Sequence, residues 1–149
     1  MQHNFKMKMK TITTVTLLLL SVGIISANTL SLEPIGNDIW NVNFTSDAGI
    51  AGFQFNIEGG TLVDAYGGDA ATNGFVISTG ESMVLGFSFT GGTISAGSGT
   101  LVVLNVSGTP SGLSDIIMSD PSGNQLDFTY LPSEEDPFTY NSSTLQAFY

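Results

Sequence analysis

The chain has 149 residues, with 13 Asp or Glu, three Lys, one His and no Cys. His3, Lys6, Lys8 and Lys10 all lie in the first ten residues, so everything after them carries a side-chain charge of −13 and no cation. Such a chain cannot neutralise phosphates, and without His, Cys or Lys it lacks the usual nucleophile–base pairs and zinc ligands. Nucleic-acid binding and most covalent catalysis are therefore excluded.

The N-terminal segment has the layout of a secretory signal peptide. A positive stretch ends at Lys10, an apolar run follows from Ile12 to Ile25, and Ala27 provides a small residue at the cleavage position. The run is short for a membrane span, although an uncleaved anchor is the alternative. We predict a signal helix over residues 1–27, a secreted or cell-surface protein, and no membrane insertion of the mature chain.

Strand patterns follow the signal segment, separated by glycine turns. Apolar and polar residues alternate with a period of two, which is typical of half-buried antiparallel strands. The predicted strands are Leu30–Pro34, Trp40–Thr45, Ala51–Glu58, Thr61–Ala65, Gly74–Ser78, Met83–Thr90, Leu101–Val106, Ser114–Ser119 and Gln125–Tyr130. No segment after the signal shows a sustained helical period. The pattern predicts an all-β, eight- to nine-stranded antiparallel β-sandwich over residues 28–131.

The phase of the alternation predicts which side chains form the core. The residues predicted to be buried in the three clearest strands are Trp40, Val42 and Phe44, then Ala51, Phe53, Phe55 and Ile57, then Met83, Leu85, Phe87 and Phe89. Because no Cys is present, disulfides cannot contribute, and the apolar core has to hold the fold.

The amino-acid composition of the chain changes after Leu131. Residues 132–137 are acidic and bracketed by prolines, which predicts a linker. Residues 138–149 resume a mixture of apolar and polar residues, and we interpret them as a last strand or as the start of a truncated second module.

The stretch over residues 47–129 resembles the cohesin domain family. The resemblance lies in segments 49–55 (GIAGFQF), 97–101 (GSGTL) and 113–120 (LSDIIMSD), the last followed by Gly-Asn at 123–124. It implies a jelly-roll sandwich of nine strands, shared with several carbohydrate-binding modules, and a non-catalytic extracellular role. In cellulosomes, cohesins hold dockerin modules.

The resemblance also indicates where a partner would bind. Dockerin-binding members present a polar pair on the central strand, which corresponds here to Gly52 and Gln54, and glycine has no side chain to form that hydrogen bond. We predict that Gln54, Asn56 and Ser88 face the partner. The leading hypothesis is a non-catalytic binding or adhesion module of a modular extracellular protein, with a protein module or a polysaccharide as partner and a link to polysaccharide breakdown.

Two alternatives rest on other residues. Tyr66, beside a Gly-Gly pair, would stack on sugar rings if the domain were a carbohydrate-binding module. The carboxylate pairs Asp64 with Asp69 and Asp115 with Asp120 would serve a small glycoside hydrolase. Because a sandwich of this size has little room for a catalytic cleft, we predict that the protein is not an enzyme.

A calcium site is the one cofactor hypothesis. Asp120, Asn124 and Asp127 offer oxygen ligands at spacings that suit Ca²⁺, although Gln125 and Leu131 depart from the EF-hand pattern. An Asp-Pro-Ser-Gly turn capped by its own Asp side chain would explain the same residues.

Overall fold

A computed structural model describes residues 27–133 as two β-sheets packed face to face. The strands are β1 (Thr29–Gly36), β2 (Ile39–Ser46), β3 (Gly52–Glu58), β4 (Thr61–Tyr66), β5 (Val76–Thr79), β6 (Met83–Phe87), β7 (Gly97–Ser107), β8 (Gly112–Ser119), β9 (Gln125–Leu126) and β10 (Thr129–Leu131). One short helix, α1 (Gly68–Thr72), joins β4 to β5. The predicted all-β sandwich is confirmed.

The strands divide equally between the two sheets. The first sheet has the order β10-β1-β2-β7-β4, and the second has the order β5-β6-β3-β8-β9. All described neighbours are antiparallel except β1 and β10, which pair in parallel with Thr29 opposite Thr129. The sequence predicted a wholly antiparallel sandwich. This prediction is wrong for one pair, because β1 and β10, the first and last described strands, run parallel to each other.

The last predicted strand, residues 125–130, is divided between the two sheets. Gln125 and Leu126 pair with β8, whereas Thr129 and Tyr130 pair with β1. Between them Phe128 packs against the core, so the chain crosses the open edge of the sandwich at this point. This crossing accounts for ten observed strands where eight or nine were predicted.

The core lies between the inner faces of the sheets and is wholly apolar apart from Ser46. Leu30, Val42 and Leu104 of the first sheet are fully buried, as is Phe55 of the second. Burial of each such side chain contributes about 1.5–3 kcal/mol. The fold thus holds by packing, as expected of a chain without Cys.

The alternation in β6 has the opposite phase to the one predicted. Val84 and Gly86 are buried, whereas Met83, Leu85 and Phe87 point outward. The cause is the Phe53 ring on the neighbouring strand, since a Cβ on Gly86 would lie 2.2 Å from its Cζ atom. Only glycine leaves room for that ring, so the less apolar side of β6 faces inward.

Helix α1 was not predicted, because five residues are too few to show a helical period. It begins at Gly68, and the φ angles of Gly67 and Gly68, 67° and 64°, suit glycine. A Cβ on Gly68 would lie 2.5 Å from the carbonyl oxygen of Leu101, so the helix packs directly on β7. As a result β5 begins at Val76, two residues later than predicted.

Asn28 anchors the beginning of the domain. Its side-chain oxygen accepts a hydrogen bond from the Asp47 N–H at 2.8 Å, and its carbonyl accepts one from Thr129 N–H at 3.0 Å. Residues 1–26 of the predicted signal helix (1–27) and the tail from residue 134, including most of the predicted linker and all of segment 138–149, lie outside the described residues. Within residues 27–133 no helix is long and apolar enough to cross a membrane.

Candidate docking surface

The outer side of the second sheet has a polar central strand. Phe53, Phe55 and Ile57 of β3 are buried in the core, so Gly52, Gln54 and Asn56 point outward because successive side chains alternate across a strand. No charged group lies among these three outward residues.

Apolar side chains flank this polar strand on both sides. The register places Gln54 between Leu85 of β6 and Ile117 of β8, and Ile117 is 48% exposed. Phe87 lies opposite Gly52, and Val76 of edge strand β5 lies opposite Phe87. We call this outward set the docking face: Gly52, Gln54, Asn56, Val76, Met83, Leu85, Phe87, Ile117 and Ser119.

Gly52 lies in a shallow depression of the docking face. The depression has a volume of about 250 Å³, and its lining includes Leu85, Phe87 and Ile117. A Cβ at Gly52 would come within 3.0 Å of the Ser119 hydroxyl oxygen. The depression is therefore mostly apolar, open to solvent, and large enough to accept one side chain of a partner.

The opposite end of the docking face borders on carboxylates. Asp115 has a φ of 48°, in the left-handed region that Asp tolerates, and its Oδ2 atom accepts a hydrogen bond of 2.9 Å from the Asn56 amide. Glu58, at the end of β3, accepts a hydrogen bond from the Ser114 hydroxyl. The surface therefore changes from apolar near Phe87 to acidic near Asn56.

Comparison with solved structures identifies the architecture. A non-cellulosomal cohesin from the hyperthermophilic archaeon Archaeoglobus fulgidus matches with a TM-score of 0.52 and 16% identity, over 70% of this chain and 86% of that chain. The fold is cohesin-like. The predicted resemblance to cohesins is thus confirmed at the level of the fold.

Two further cohesin-like matches are complexes. The CaDoc0917–CaCohA2 complex matches with a TM-score of 0.50 and 13% identity, over 70% of this chain and 95% of that chain. The Coh-OlpC–Doc435 complex, a type I cohesin–dockerin complex from Clostridium thermocellum, gives a TM-score of 0.53 and 11% identity, over 74% and 93%. No protein-family model matches the chain, and no curated protein matches it significantly.

The cohesin-like sandwich brings together two of the three residues predicted to face a partner. Gln54 and Asn56 both lie on the docking face, whereas Ser88 lies in the turn after β6. Its hydroxyl oxygen accepts hydrogen bonds from the N–H groups of Thr90 at 3.2 Å and Gly92 at 2.8 Å. Ser88 therefore stabilises the turn. Because the even-numbered positions of β6 face inward, Ser88 does not continue the outward side of that strand.

Sequence reasoning missed the apolar part of the docking face, namely Val76, Met83, Leu85, Phe87 and Ile117. Met83, Leu85 and Phe87 were predicted to be buried, because both phases of β6 contain apolar residues. The available signal was Gly86, since a glycine opposite a large aromatic residue on the next strand marks an inward position.

Tyr66 lies on the other side of the sandwich. It ends edge strand β4 of the first sheet, and the residue is 45% exposed. Nearby, the Asp64 carboxylate accepts a hydrogen bond of 2.8 Å from the Ala65 N–H. Tyr66 is thus accessible to a ligand, and its role in carbohydrate binding stays a prediction.

Hydrogen bonds within the turn at Asp120 use the side chains of two of the three residues that were predicted to bind calcium. Asp120 Oδ1 accepts hydrogen bonds from the backbone N–H groups of Asn124 at 2.8 Å and Ser122 at 2.9 Å, and Oδ2 accepts one from the Asn124 side chain at 3.1 Å. Within residues 27–133 no three acidic or His side chains are grouped to hold a metal. Calcium at Asp120, Asn124 and Asp127 stays a prediction.

The hydrogen bonds of this turn give Asp120 a distinct pH dependence. The bond from the Asn124 backbone, followed by the one from its side chain, lowers the pKa of Asp120 below its ordinary 3.8. A lowered folded-state pKa stabilises the fold above the unfolded-state pKa, and this contribution is lost as pH falls through the folded value. We expect Asp120→Asn to be less stable than wild type at pH 7, with the difference shrinking below about pH 4.

Urea unfolding at pH 7, 4 and 2.5 measures this difference. Asp127→Asn is the matched control, since it removes the same charge from the same hairpin. A difference for Asp120→Asn that is independent of pH, or equal to that of Asp127→Asn, would contradict the prediction.

Proposed function

We propose that this domain is a non-catalytic protein-binding module that holds a partner module on its docking face. The observation that carries the proposal is the set of exposed and partly exposed apolar side chains on both sides of the polar strand β3, on a cohesin-like sandwich. Contiguous exposed apolar patches on soluble proteins mark interaction surfaces. Support comes from the matched structures, two of which are cohesin complexes.

The chemistry of the docking face defines the partner. The apolar end offers Phe87, Leu85 and Ile117 around a depression that would accept an apolar side chain. The other end offers Asp115 and Glu58, and no cation lies anywhere in residues 27–133. A complementary partner therefore has an apolar anchor beside Lys or Arg, as opposite charges steer association.

We further propose that the module is secreted and forms part of a larger extracellular protein. The proposal rests on the signal-peptide layout of residues 1–27 and on the anchoring of Asn28, since cleavage after Ala27 would leave the whole domain intact.

Binding to dockerin modules tests the proposed function. We expect one or more members of a dockerin panel, including Doc435 of the matched complex, to bind the purified protein in isothermal titration calorimetry. Leu85→Asp should weaken this binding at least 30-fold, or about 2 kcal/mol, because it buries an unpaired charge at the centre of the contact.

Val63→Asp is the matched control for this experiment. Val63 lies on edge strand β4 of the first sheet and is 58% exposed, so the change adds the same charge away from the docking face. Equal weakening by Leu85→Asp and Val63→Asp would disprove the assignment of the docking face. Failure of the whole panel would remove dockerins as the partner class.

A further inference from the structure

The outer side of the first sheet carries a polar strip that the proposed docking function does not use. On β2, Val42, Phe44 and Ser46 face inward, so Asn41, Asn43 and Thr45 face outward. Outward residues of the two neighbouring strands extend this set. We call the following residues the polar strip: Glu33 of β1, Asn41, Asn43 and Thr45 of β2, and Ser98 and Thr100 of β7.

Hydrogen bonds hold the planar groups of the polar strip in fixed orientations. The Thr100 hydroxyl donates to Asn43 Oδ1 at 3.0 Å, and Asn43 Nδ2 donates to Glu33 Oε2 at 2.8 Å. Asn41 Nδ2 lies 3.5 Å from the same carboxylate oxygen. A ligand that hydrogen-bonds to these groups meets them already ordered, which reduces the entropic cost of binding.

A shallow groove lies over one end of the polar strip. Its volume is about 410 Å³, and its lining is Asn43, Phe44, Thr45, Ser98, Gly99 and Thr100. The hydroxyl groups of Thr45 and Ser98 lie 3.1 Å apart across it. The groove therefore presents donors and acceptors side by side, as neighbouring hydroxyl groups of a ligand require.

An exposed aromatic ring lies in line with the strip. The register places Tyr66 opposite Val103 and Val103 opposite Asn41, with all three outward. Two strand spacings put the Tyr66 backbone about 10 Å from that of Asn41. An apolar ring face beside planar polar groups is a combination that matches a sugar ring, which has a C–H face and a rim of hydroxyl groups.

The charge of this side of the sandwich defines the ligand further. Glu33 is the only charged member of the polar strip, and no cation occurs in residues 27–133. Phosphate, sulfate or uronate groups would be repelled by Glu33 and by the other carboxylates of the domain. A neutral ligand rich in hydroxyl groups has no such penalty.

We infer that the polar strip and Tyr66 form a binding site for a neutral oligosaccharide, on the side of the sandwich opposite the docking face. Asn43, Asn41 and Glu33 hydrogen-bond the sugar hydroxyls, and the Tyr66 ring stacks on one sugar unit. This site is independent of the docking proposal, since the two use different sheets and share no residue.

NMR titration of the purified protein with cellohexaose, xylohexaose and mannohexaose tests the inference, because it detects millimolar affinities. We expect one of these sugars to shift amide signals of β2, β7 and Tyr66 while those of β3 and β6 stay unchanged. Tyr66→Ala and Asn43→Ala should each weaken binding about tenfold, and Tyr66→Phe, which keeps the ring, should restore most of the affinity. Tyr66 and Asn43 are not core residues, so these variants should fold.

Phe89→Ala is the matched control, since it removes a ring that is 80% exposed but lies after β6 of the second sheet. It should leave the sugar affinity unchanged. The inference is overturned if none of the three sugars shifts the first sheet, if the shifts fall on the docking face, or if Tyr66→Ala binds like wild type. Shifts that depend on protein concentration without sugar would show a second copy of the chain on the strip, and would also overturn it.

Discussion

Gly86→Ala is expected to destabilise the domain by about 1–3 kcal/mol, the range for overpacking a well-filled core. The new Cβ would lie 2.2 and 2.3 Å from Cζ and Cε1 of Phe53. That ring cannot move aside easily, because it is stacked against Phe55 and Phe75 at centroid distances of 6.0 and 6.1 Å. For a domain of this size each kcal/mol corresponds to a Tm decrease of about 4–8 °C, which calorimetry resolves.

Gly80→Ala is the control for this substitution. A Cβ at Gly80 meets only Met83 atoms at 3.7 Å or more, so the change should alter stability by less than about 0.5 kcal/mol. Both variants lose the same backbone freedom in the unfolded state, and comparing them cancels that effect. Adding Phe53→Leu should reduce the cost of Gly86→Ala, because it removes the clashing ring atoms.

This comparison also tests the docking face. If Gly86→Ala were as stable as Gly80→Ala, then β6 would have the phase predicted from the sequence. Leu85 and Phe87 would then point into the core, and the proposed function would lose its main support.

Sodium chloride is expected to stabilise the domain at neutral pH. Residues 27–133 contain ten carboxylates and no cation, so every charge–charge interaction between their side chains is repulsive and grows stronger in the compact state. Raising NaCl from 10 mM to 0.5 M shortens the Debye length from about 30 Å to below 10 Å. We expect a gain of about 1–2 kcal/mol, which is a Tm increase of several degrees.

Two controls separate screening from other salt effects. Choline chloride at the same ionic strength should act like NaCl, since screening does not depend on the cation. Calcium chloride at matched ionic strength tests the Asp120 hypothesis, because a larger increase in Tm would indicate specific binding. A Tm that stays constant or falls with NaCl would contradict the electrostatic argument.

The sequence predicted the fold well where each strand has one apolar and one polar phase. In β3 the phenylalanines at 53 and 55 alternate with Gln54 and Asn56, and the structure buries the first set and places the second, half-buried, on the outer side. In β6 both phases are apolar or glycine, so local pattern could not decide between them. The decision comes from Phe53 on the next strand, which is a tertiary contact that no single-strand pattern contains.

The candidate sites also divide into residues whose direction a single strand's pattern decides and residues that only contacts between strands bring together. Gln54 and Asn56 point outward as predicted because their own strand settles the phase, and their contact with a partner stays a prediction. The apolar docking residues and the polar strip depend on strand register, which pairs Gln54 with Ile117 and Asn43 with Thr100. These pairs are more than 50 residues apart in the chain, and β-bulges in both strand pairings shift the register. Spacing along the sequence alone therefore could not reveal either surface.

The parallel pairing of β1 with β10 has a mechanical consequence. Tension applied at Asn28 and Pro132 pulls these two strands in opposite directions along their length, because one is held at its start and the other at its end. The hydrogen bonds between them, together with the bond from Thr129 N–H to the Asn28 carbonyl, then bear the load together and not in succession. A domain pulled from its two ends in this way resists stretching because the bonds between β1 and β10 are loaded in shear.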